Sequence, residues 1–396
     1  TAMAFSNSAD TRGLEQVGLN PATLSLPHFA SFEFNLFSLN ATLSNNSLNQ
    51  GIYNQYFTTG NQLTADDKQN LLAAIPTNGL RGDFSTRLNT LAFYVPGFSL
   101  SLTATGSGYV NLPREVAQLL LEGNDELGKV YDFSTADAAG WGGLAIQFGV
   151  SQEFSLAENK WFDFFAIGAT TKYLAGLAYF EIMNTTGHLY NADFNNPNLR
   201  FDGQFSARTA RGGSGFGLDL GILLHKEKKL SVSMALLNAL GSIRWTNQTE
   251  LLQLKVHSED LSLNSGNFSD SLIVTEDTSF TIGSFNSRLP LVFDAGVAYR
   301  PLKSLLLTAE VEKEFSEPIG DPVGFRTALG MEISWLSFLP LRSGISLGGR
   351  DGLSIGFGFG LNLHYWFVDV GVVSHGGFMG NSTRGMTLAV TSRFRF

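Results

Sequence analysis

From residue 29 onward, apolar and polar positions alternate along most of the chain. In residues 303–315, for example, the apolar positions are Leu305, Leu307, Ala309 and Val311. Because successive side chains of a β-strand point to opposite faces, each such segment predicts a strand with one apolar and one polar face. The polar faces carry mainly Gly and Ser with single charges, whereas a soluble β-sandwich would carry Lys, Thr and Glu. This pattern favours a barrel with a narrow or plugged interior.

The connections between these segments alternate between short and long. Six short turns are predicted, at 95–97, 155–160, 225–229, 300–304, 337–341 and 364–366. Short turns at one end and longer loops at the other are typical of an outer-membrane barrel, here with fourteen antiparallel strands. The even strand number places both ends of the barrel on the short-turn side. The main extracellular loops are predicted at 45–81, 112–137, 185–197 and 258–285.

The last residues, "MTLAVTSRFRF", also alternate, which would leave an exposed edge in a soluble domain. In a closed barrel this strand pairs with the first one, predicted at 29–43, so that no edge remains. The aromatic pair Phe394 and Phe396 is similar to the signal that hands outer-membrane proteins to their insertion machinery. Further aromatic residues flank the short turns and predict an interfacial girdle: Tyr94, Trp161, Phe162, Tyr299, Trp335, Phe338, Tyr365 and Trp366.

The composition supports a membrane protein that crosses the bilayer with strands of alternating apolar and polar residues. Charged residues are 15% of the 396 residues, against about 25% in ordinary soluble domains. Mean hydropathy is only +0.05, and no apolar run approaches the roughly 18–20 residues of a membrane helix. The net charge of −9 without a basic cluster argues against a nucleic-acid partner, and the absence of Cys excludes disulfides. We interpret the first residues as a mature end left after removal of a secretion signal, and we expect a bacterial outer-membrane location.

Residues 1–28 do not alternate and are predicted to form a separate N-terminal hatch, with residues 29–396 as the barrel. The hatch contains Ala9-Asp10 followed by Asn20-Pro21-Ala22, with Thr23 next. Here the chain resembles the FadL-like family of outer-membrane barrels, which begin with a short acidic stretch and "NPAGL". The resemblance implies fourteen strands, a hatch inside the lumen, and either a channel for hydrophobic compounds or a PorV-type adaptor. Candidate hatch and gating residues are Asp10, Arg12, Asn20, Pro21 and Ala22.

A repeated Asp-x-Gly occurs in three predicted strands, at Asp219, Asp294 and Asp369. Their parity directs all three carboxylates into the lumen, where a buried charge needs partners. Arginines 12, 326, 342, 393 and 395 are the candidate partners. Two hypotheses stay open: a carboxylate layer that anchors the hatch, and interior ion pairs that serve stability and insertion alone. The other charges predicted to face the lumen are Glu310, Glu312, Arg326, Glu332, Arg342, Arg393 and Arg395.

Two of the long connections contain helical patterns. In 64–76 a Thr cap and an acidic first turn precede an apolar face, and 113–130 starts with Pro. These helices would capture a ligand, as in FadL-like channels, or pack together as a lid. Their apolar residues are Leu71, Leu72, Ile75, Val116, Leu119 and Leu120.

The pair Gly212 and Gly213 interrupts a long strand pattern at 197–224. Adjacent glycines weaken strand pairing and mark a kink or bulge. The kink would either open a lateral exit in the wall, as in FadL-like channels, or bend the strand into an extracellular flap.

The sequence shows no enzyme signature. Glu310, Glu312 and Glu314 share a face, but a row of acidic residues in a barrel is more often an ion-paired wall. The His residues lack metal-ligand spacing, and we predict no cofactor and no metal. The expected function is passive uptake of an apolar, fatty-acid-like molecule across the bilayer. The alternative is an adaptor barrel that binds a secreted or surface protein or assembles with itself.

Overall fold

The computed structural model describes residues 1–123, 128–156, 159–191, 198–227, 229–262, 274–315, 324–378 and 380–396. Within them the chain forms three short 3₁₀ turns (Ser8–Asp10, Gly13–Gln16, Pro21–Ser25), three helices and nineteen strands. The helices are α1 (Gln50–Tyr56), α2 (Ala65–Ala74) and α3 (Arg114–Glu122). The strands are β1 (Glu33–Asn45), β2 (Leu80–Val95), β3 (Phe98–Leu112), β4 (Val130–Asp132), β5 (Asp137–Ser155), β6 (Phe164–Asn191), β7 (Asn198–Ala210), β8 (Gly213–Lys226), β9 (Leu230–Trp245), β10 (Glu250–Ser262), β11 (Val274–Thr281), β12 (Phe285–Arg288), β13 (Val292–Leu302), β14 (Leu305–Glu314), β15 (Phe325–Ile333), β16 (Leu341–Gly348), β17 (Ser354–Leu363), β18 (Trp366–His375) and β19 (Gly385–Arg395).

Fourteen of these strands close into one antiparallel barrel. Its order is β1, β2, β3, β5, β6, β8, β9, β13, β14, β15, β16, β17, β18 and β19, after which β19 pairs back onto β1. The closing register aligns Asn40 with Ala389. Closure satisfies the backbone of both edge strands, which is what a strand in lipid requires. The predicted fold class, strand number and closure are confirmed.

The outer surface of the barrel is apolar. Leu329, Phe357 and Leu388 are exposed there, on the parity that the alternation assigns to lipid. Trp161 and Trp335, beside short turns, are 78% and 83% exposed, as a membrane-interface girdle requires.

Tyr94 is an exception to the predicted girdle, since it is 2% exposed and faces inward. The register between β2 and β3 shifts between Asn89 and Ala92. A bulge adds one residue and exchanges the two faces of the strand, so parity counted through it gives the wrong side.

On the long-loop side some strands extend beyond the barrel into a flap. The outer end of β6 pairs with β7, β7 pairs with β10, and β10 pairs with β11. The prediction of loops at 185–197 and 258–285 is therefore wrong over their described parts, because β6, β10 and β11 extend into them. Strands that leave the membrane are wet on both faces and lose the alternation that marks a barrel strand. Residues 124–127, 192–197 and 263–273 of the predicted loops lie outside the described residues.

Of the two predicted helices, α2 has the expected Thr cap, whereas α3 begins after Pro113 without a side-chain cap and ends at Glu122. Thr64 and Asp67 form a capping box at the start of α2, in which the Asp67 carboxylate accepts from the Thr64 backbone at 2.9 Å. Leu71, Leu72 and Ile75 are buried and α2 packs on α3, where Val116 and Leu119 are half-buried. Leu120 is 80% exposed and lies outside this contact. No helix among the described residues is long and apolar enough to cross a membrane.

Candidate functional site

Residues 1–28, which we call the hatch, lie inside the barrel and touch opposite sides of its wall. Gln16 donates to Ser99 on β3 at 2.9 Å, and Ser25 bonds Ser151 on β5 at 2.6 Å. On the far side, Ser6 bonds Thr308 on β14 at 2.8 Å. Because these contacts come from strands distributed around the barrel, the hatch crosses the lumen.

The Asn20-Pro21-Ala22 turn is the most firmly bound part of the hatch. Asn20 is fully buried, and its amide nitrogen donates to the backbone carbonyls of Ile222 and Met234 at 3.1 Å each. Its side-chain oxygen accepts from the Ala22 backbone at 2.9 Å and caps the last 3₁₀ turn. One side chain therefore both orders the turn and attaches it to the wall.

Removing this side chain is expected to loosen the hatch. Asn20→Ala loses three hydrogen bonds of a fully buried side chain, two of them to the wall, at a cost of about 2 kcal/mol or more. Hydrogen exchange of the hatch amides should accelerate. Asn111→Ala is the matched control, because Asn111 also donates to two carbonyls, of Asn78 and Thr135, but at the rim. Equal exchange in both variants would contradict this role of Asn20.

The hatch lies against glycines of the inner wall. A Cβ on Gly168 would overlap the backbone of Pro21 and Ala22, and a Cβ on Gly221 would overlap the side chain of Asn20. Gly296 lies against Ser8 and Gly371 against Ala2 in the same way. The wall therefore provides a track of positions without side chains, along which the hatch approaches the strands closely.

The glycines of the Asp-x-Gly repeat belong to this track, whereas its aspartates belong to separate polar clusters. In all three copies the glycine, at 221, 296 or 371, contacts the hatch. The three carboxylates do not share one set of arginine partners. Asp219 pairs with Lys172 at 2.7 Å, whereas Asp369 pairs with Arg342 at 2.5 Å and Arg393 at 2.7 Å.

The prediction that Arg12 of the hatch pairs with an aspartate of the repeat is wrong. Its guanidinium bonds Asp10 at 2.8 Å and the carbonyl of Pro27 at 2.7 Å, both within the hatch. Asp10 in turn accepts from Arg300 at the end of β13. Arg12 therefore stiffens the hatch, and Asp10 is the residue that ties it to the wall at this point.

The densest charge network joins the hatch to β18 and β19. Glu15 accepts from Arg393 at 2.8 Å and from Arg395 at 3.2 Å, and Arg393 also donates to Asp369. Arg342 extends the network to Glu332 at 2.8 Å. Four of the predicted inward charges, Glu332, Arg342, Arg393 and Arg395, thus converge here. Arg326 pairs separately with Glu312, and Glu310 lies near Asp294.

Neighbouring positive charges lower the pKa of Glu15. Burial alone would raise its pKa, but Arg393 and the neighbouring guanidiniums hold the pKa of Glu15 well below its usual range. A depressed pKa stabilises the folded state above the unfolded value of about 4.3, and the effect is lost as pH falls through the folded value. This attachment of the hatch is therefore intact at neutral pH.

Glu33, at the start of β1, is a member of this network that the sequence pattern did not reveal. It is fully buried and accepts from the backbone of Leu14 at 2.7 Å and bonds His28 at 2.7 Å. Arg395 completes its set of partners. Glu33 lies at the edge of the alternating segment, where parity alone gives no signal.

A cavity of about 920 Å³ lies between the hatch and the short-turn end of the barrel. Charged groups of both lie along it, among them Glu15, Arg300, Lys303, Arg342, Asp369 and Arg393. Apolar side chains line it as well, among them Leu14, Phe29, Leu306 and Phe367, so the lining is mixed.

Apolar side chains meet higher on the inner wall, toward the long-loop side. Trp245 is fully buried and covers Gly176, and its indole nitrogen donates to Ser287 at 2.8 Å. The Tyr179 ring lies 5.2 Å from that of Trp245 and 5.1 Å from that of Phe285. The upper apolar cluster, as we call it, comprises Trp141, Ala145, Leu174, Tyr179, Ala210, Ile243, Trp245, Phe285 and Leu289.

The wall beside this cluster is irregular. At Asn238, where φ is +53°, β9 bulges away from β8, and Asn238 bonds Asp219 at 2.7 Å and the carbonyl of Pro290 at 2.8 Å. Lys172 bonds both Asp219 and Asn238. Side chains therefore replace part of the strand ladder in this sector of the barrel.

The predicted kink is present next to it. Gly212 has φ +103° and separates β7 in the flap from β8 in the barrel. Gly213 pairs with both Gly176 and Trp245, so the wall is continuous at this bend.

Phe394 and Phe396 lie on the lipid-facing side of β19, near the short-turn end. The ring of Phe394 stacks on Trp366 at 6.4 Å, and that of Phe396 on Tyr365 at 5.6 Å. These contacts belong to the girdle, and the insertion role of the two residues stays a prediction.

A closed barrel of fourteen strands around an N-terminal hatch is the architecture of the FadL-type barrels. The fold is similar to the toluene transporter TodX of Pseudomonas putida, with a TM-score of 0.55, 9% identity, and 100% of this chain and 99% of TodX covered. It is also similar to the Ralstonia pickettii toluene transporter TbuX (TM-score 0.52, 12% identity, 100% and 99% covered). A FadL homologue of Pseudomonas aeruginosa gives a TM-score of 0.51 at 10% identity, with 100% and 97% covered.

The sequence itself identifies a family. The model of DUF5723, a family of unknown function, matches residues 21–369, and the chain belongs to this family. No curated protein matches the sequence.

Proposed function

We propose that this protein is an outer-membrane channel for small apolar compounds and that the hatch closes it in the conformation described above. The observation that carries the proposal is the upper apolar cluster, which brings four aromatic side chains together on the inner wall of the lumen. Sites for small apolar ligands are lined by such side chains with a few polar groups at the margin. Here the polar groups at the margin are Glu181 and Arg208, which form an ion pair with each other and hydrogen bonds with Tyr179.

The TodX and TbuX structures support this proposal, since both are toluene transporters of the same fold. The ligand class is therefore a compact hydrocarbon or a fatty-acid-like chain. Passage is passive, and the charged hatch beneath the cluster must move for the ligand to continue.

Trp245→Ala is expected to weaken apolar ligand binding about tenfold, as the loss of roughly 1.4 kcal/mol of contact predicts. The measurement is binding of toluene, and of a medium-chain fatty acid, to the purified barrel, with uptake into proteoliposomes as a second readout. Trp161→Ala is the matched control, because Trp161 is exposed at a short turn. The same affinity in all three proteins would exclude the cluster as the ligand site.

The flap favours a second candidate, an adaptor that binds a protein. Within the described part of the chain β11 pairs only with β10. Its other edge is unpaired within these described residues, and such an edge can accept a strand from a partner. The charged, occupied lumen is also consistent with a barrel that does not conduct.

Native mass spectrometry of the protein gently extracted from its own membrane separates the two candidates. A stoichiometric adduct in the mass range of an apolar metabolite would support the channel and give its ligand class. A bound protein, or several copies of the chain, with no small adduct would support the adaptor.

A further inference from the structure

Three carboxylates lie close together where the hatch meets β13 and β14. Oxygen atoms of Asp294, Glu310 and Glu312 all lie within 4.8 Å of one another. Asp294 and Glu310 are 4% and 6% exposed, and Glu312 is half-buried. The register explains the grouping, because Asp294 is paired with Glu312, and Gly296, the next inward position, with Glu310.

The charge of this cluster is not balanced by the described side chains. Among them the ion pair to these carboxylates is that of Arg326 with Glu312, at 2.8 Å. With all three carboxylates ionised, the one guanidinium would leave a formal charge of −2 in a buried site. The Asp294 and Glu310 side chains hydrogen-bond each other, which requires a proton between them when no cation is bound. Buried charges of one sign are costly without compensation, so the cluster needs either protons or a cation.

The hatch brings an unpartnered hydroxyl beside this cluster. The Ser8 backbone nitrogen donates to Glu310 at 2.8 Å, and the Ser8 hydroxyl lies against Gly296, which is paired with Glu310. Ser8 is 2% exposed, and within the described residues its hydroxyl has no hydrogen-bond partner. One oxygen of the Asp294 carboxylate is buried and unpartnered there too. Unsatisfied buried oxygens beside an excess negative charge are what a bound cation would satisfy.

The ligand set identifies the cation. All candidate ligands are hard oxygens, which excludes a preference for zinc or copper. Calcium binds six to eight oxygens at about 2.3–2.6 Å, and the oxygens of this cluster, all within 4.8 Å of one another, lie close enough to share one ion. Magnesium dehydrates reluctantly and keeps several waters, so it fits a buried set of protein oxygens less well.

We propose that Asp294, Glu310 and Glu312, with the hydroxyl of Ser8, form a calcium site that fastens the hatch to the barrel wall. Calcium accepts six to eight oxygens, and carboxylates can each supply one or two. Sequence spacing did not reveal the site, because its ligands come from two strands and from a turn almost 300 residues earlier. With calcium bound, the hatch would be held at Ser8 as well as at Asn20.

Calcium binding is tested on the full chain refolded in detergent free of lipopolysaccharide, since lipid phosphates bind divalent cations themselves. After chelator treatment, calorimetric titration with CaCl₂ should show one site per chain, and MgCl₂ should bind more weakly. Glu310→Gln should abolish the site. Asp83→Asn should retain it, because Asp83 is an equally buried carboxylate but already pairs with Arg81 and Arg350.

The fastening is tested by hydrogen exchange of the hatch amides. Calcium should slow exchange around Ser8 in the unmodified protein and leave the rate in Glu310→Gln unchanged. No calorimetric binding to the unmodified chain would overturn the proposal and assign shared protons to the cluster. Binding that persists in Glu310→Gln would overturn it as well. If that variant does not fold, Glu312→Gln, at the half-buried position, takes its place and should weaken binding.

Discussion

Gly168→Ala is expected to displace the hatch and increase conductance through the barrel. The added methyl would overlap the backbone of Pro21 and Ala22. Gly168 lies on β6, which is paired on both sides with β5 and β8, so the wall cannot recede. The hatch must move instead, at a cost of about 1–3 kcal/mol of packing energy. Single-channel recording in planar bilayers should show more frequent or larger openings than for the unmodified protein.

Gly142→Ala is the matched control for this experiment. Gly142 is also a barrel glycine, on the neighbouring strand β5, but a Cβ there would have its nearest neighbour at 3.7 Å. The control should conduct like the unmodified protein. A folded Gly168→Ala barrel with unchanged conductance and an unchanged hatch would refute the idea that close backbone contact closes the lumen.

The barrel could be predicted from the sequence because its constraints are local and repeated. Alternation gives the face of each strand, and the unequal connections give the strand number and the side of the ends. The Asn20-Pro21-Ala22 turn could also be located, since it breaks the alternation and contains a proline after a capping residue. Its attachment to Ile222 and Met234 depends on the three-dimensional path of the hatch and has no local signal.

For the Asp-x-Gly repeat, the direction of the side chains could be predicted from the sequence, but their partners could not. The inward direction of Asp219, Asp294 and Asp369 follows from parity, and all three are at least largely buried. Their partners do not follow, because residues that meet inside a barrel come from distant strands whose relative height is set by tilt and register. The more informative member of the motif is the glycine, which marks where another backbone approaches.

Bulges and the flap limit the prediction in another way. A single inserted residue exchanges the faces of β2 beyond Asn89, and the larger bulge at Asn238 interrupts the ladder between β8 and β9. Trp245 fits the strand pattern like any other aromatic residue, so its position in the upper apolar cluster could not be recognised. The proposed ligand site lies at such irregular places, where pattern rules are weakest.

Arg393→Met is expected to destabilise the protein by about 3–5 kcal/mol, the usual cost of removing one partner from a buried ion pair. Arg393 is 4% exposed and serves Glu15 of the hatch and Asp369 of the wall together. Without it, both carboxylates keep fewer donors inside the lumen. The free energy of unfolding can be measured by urea titration in lipid vesicles, followed by tryptophan fluorescence.

Two further variants separate charge loss from a general effect of arginine removal. Arg208→Met breaks a pair with Glu181 that is partly exposed, and it should cost about 1 kcal/mol or less. Adding Asp369→Asn to Arg393→Met removes one of the stranded charges and should recover part of the lost stability, since an uncompensated buried carboxylate is the main penalty. If Arg393→Met costs no more than Arg208→Met, the network between hatch and wall contributes little, and the glycine track with Asn20 must hold the hatch by itself.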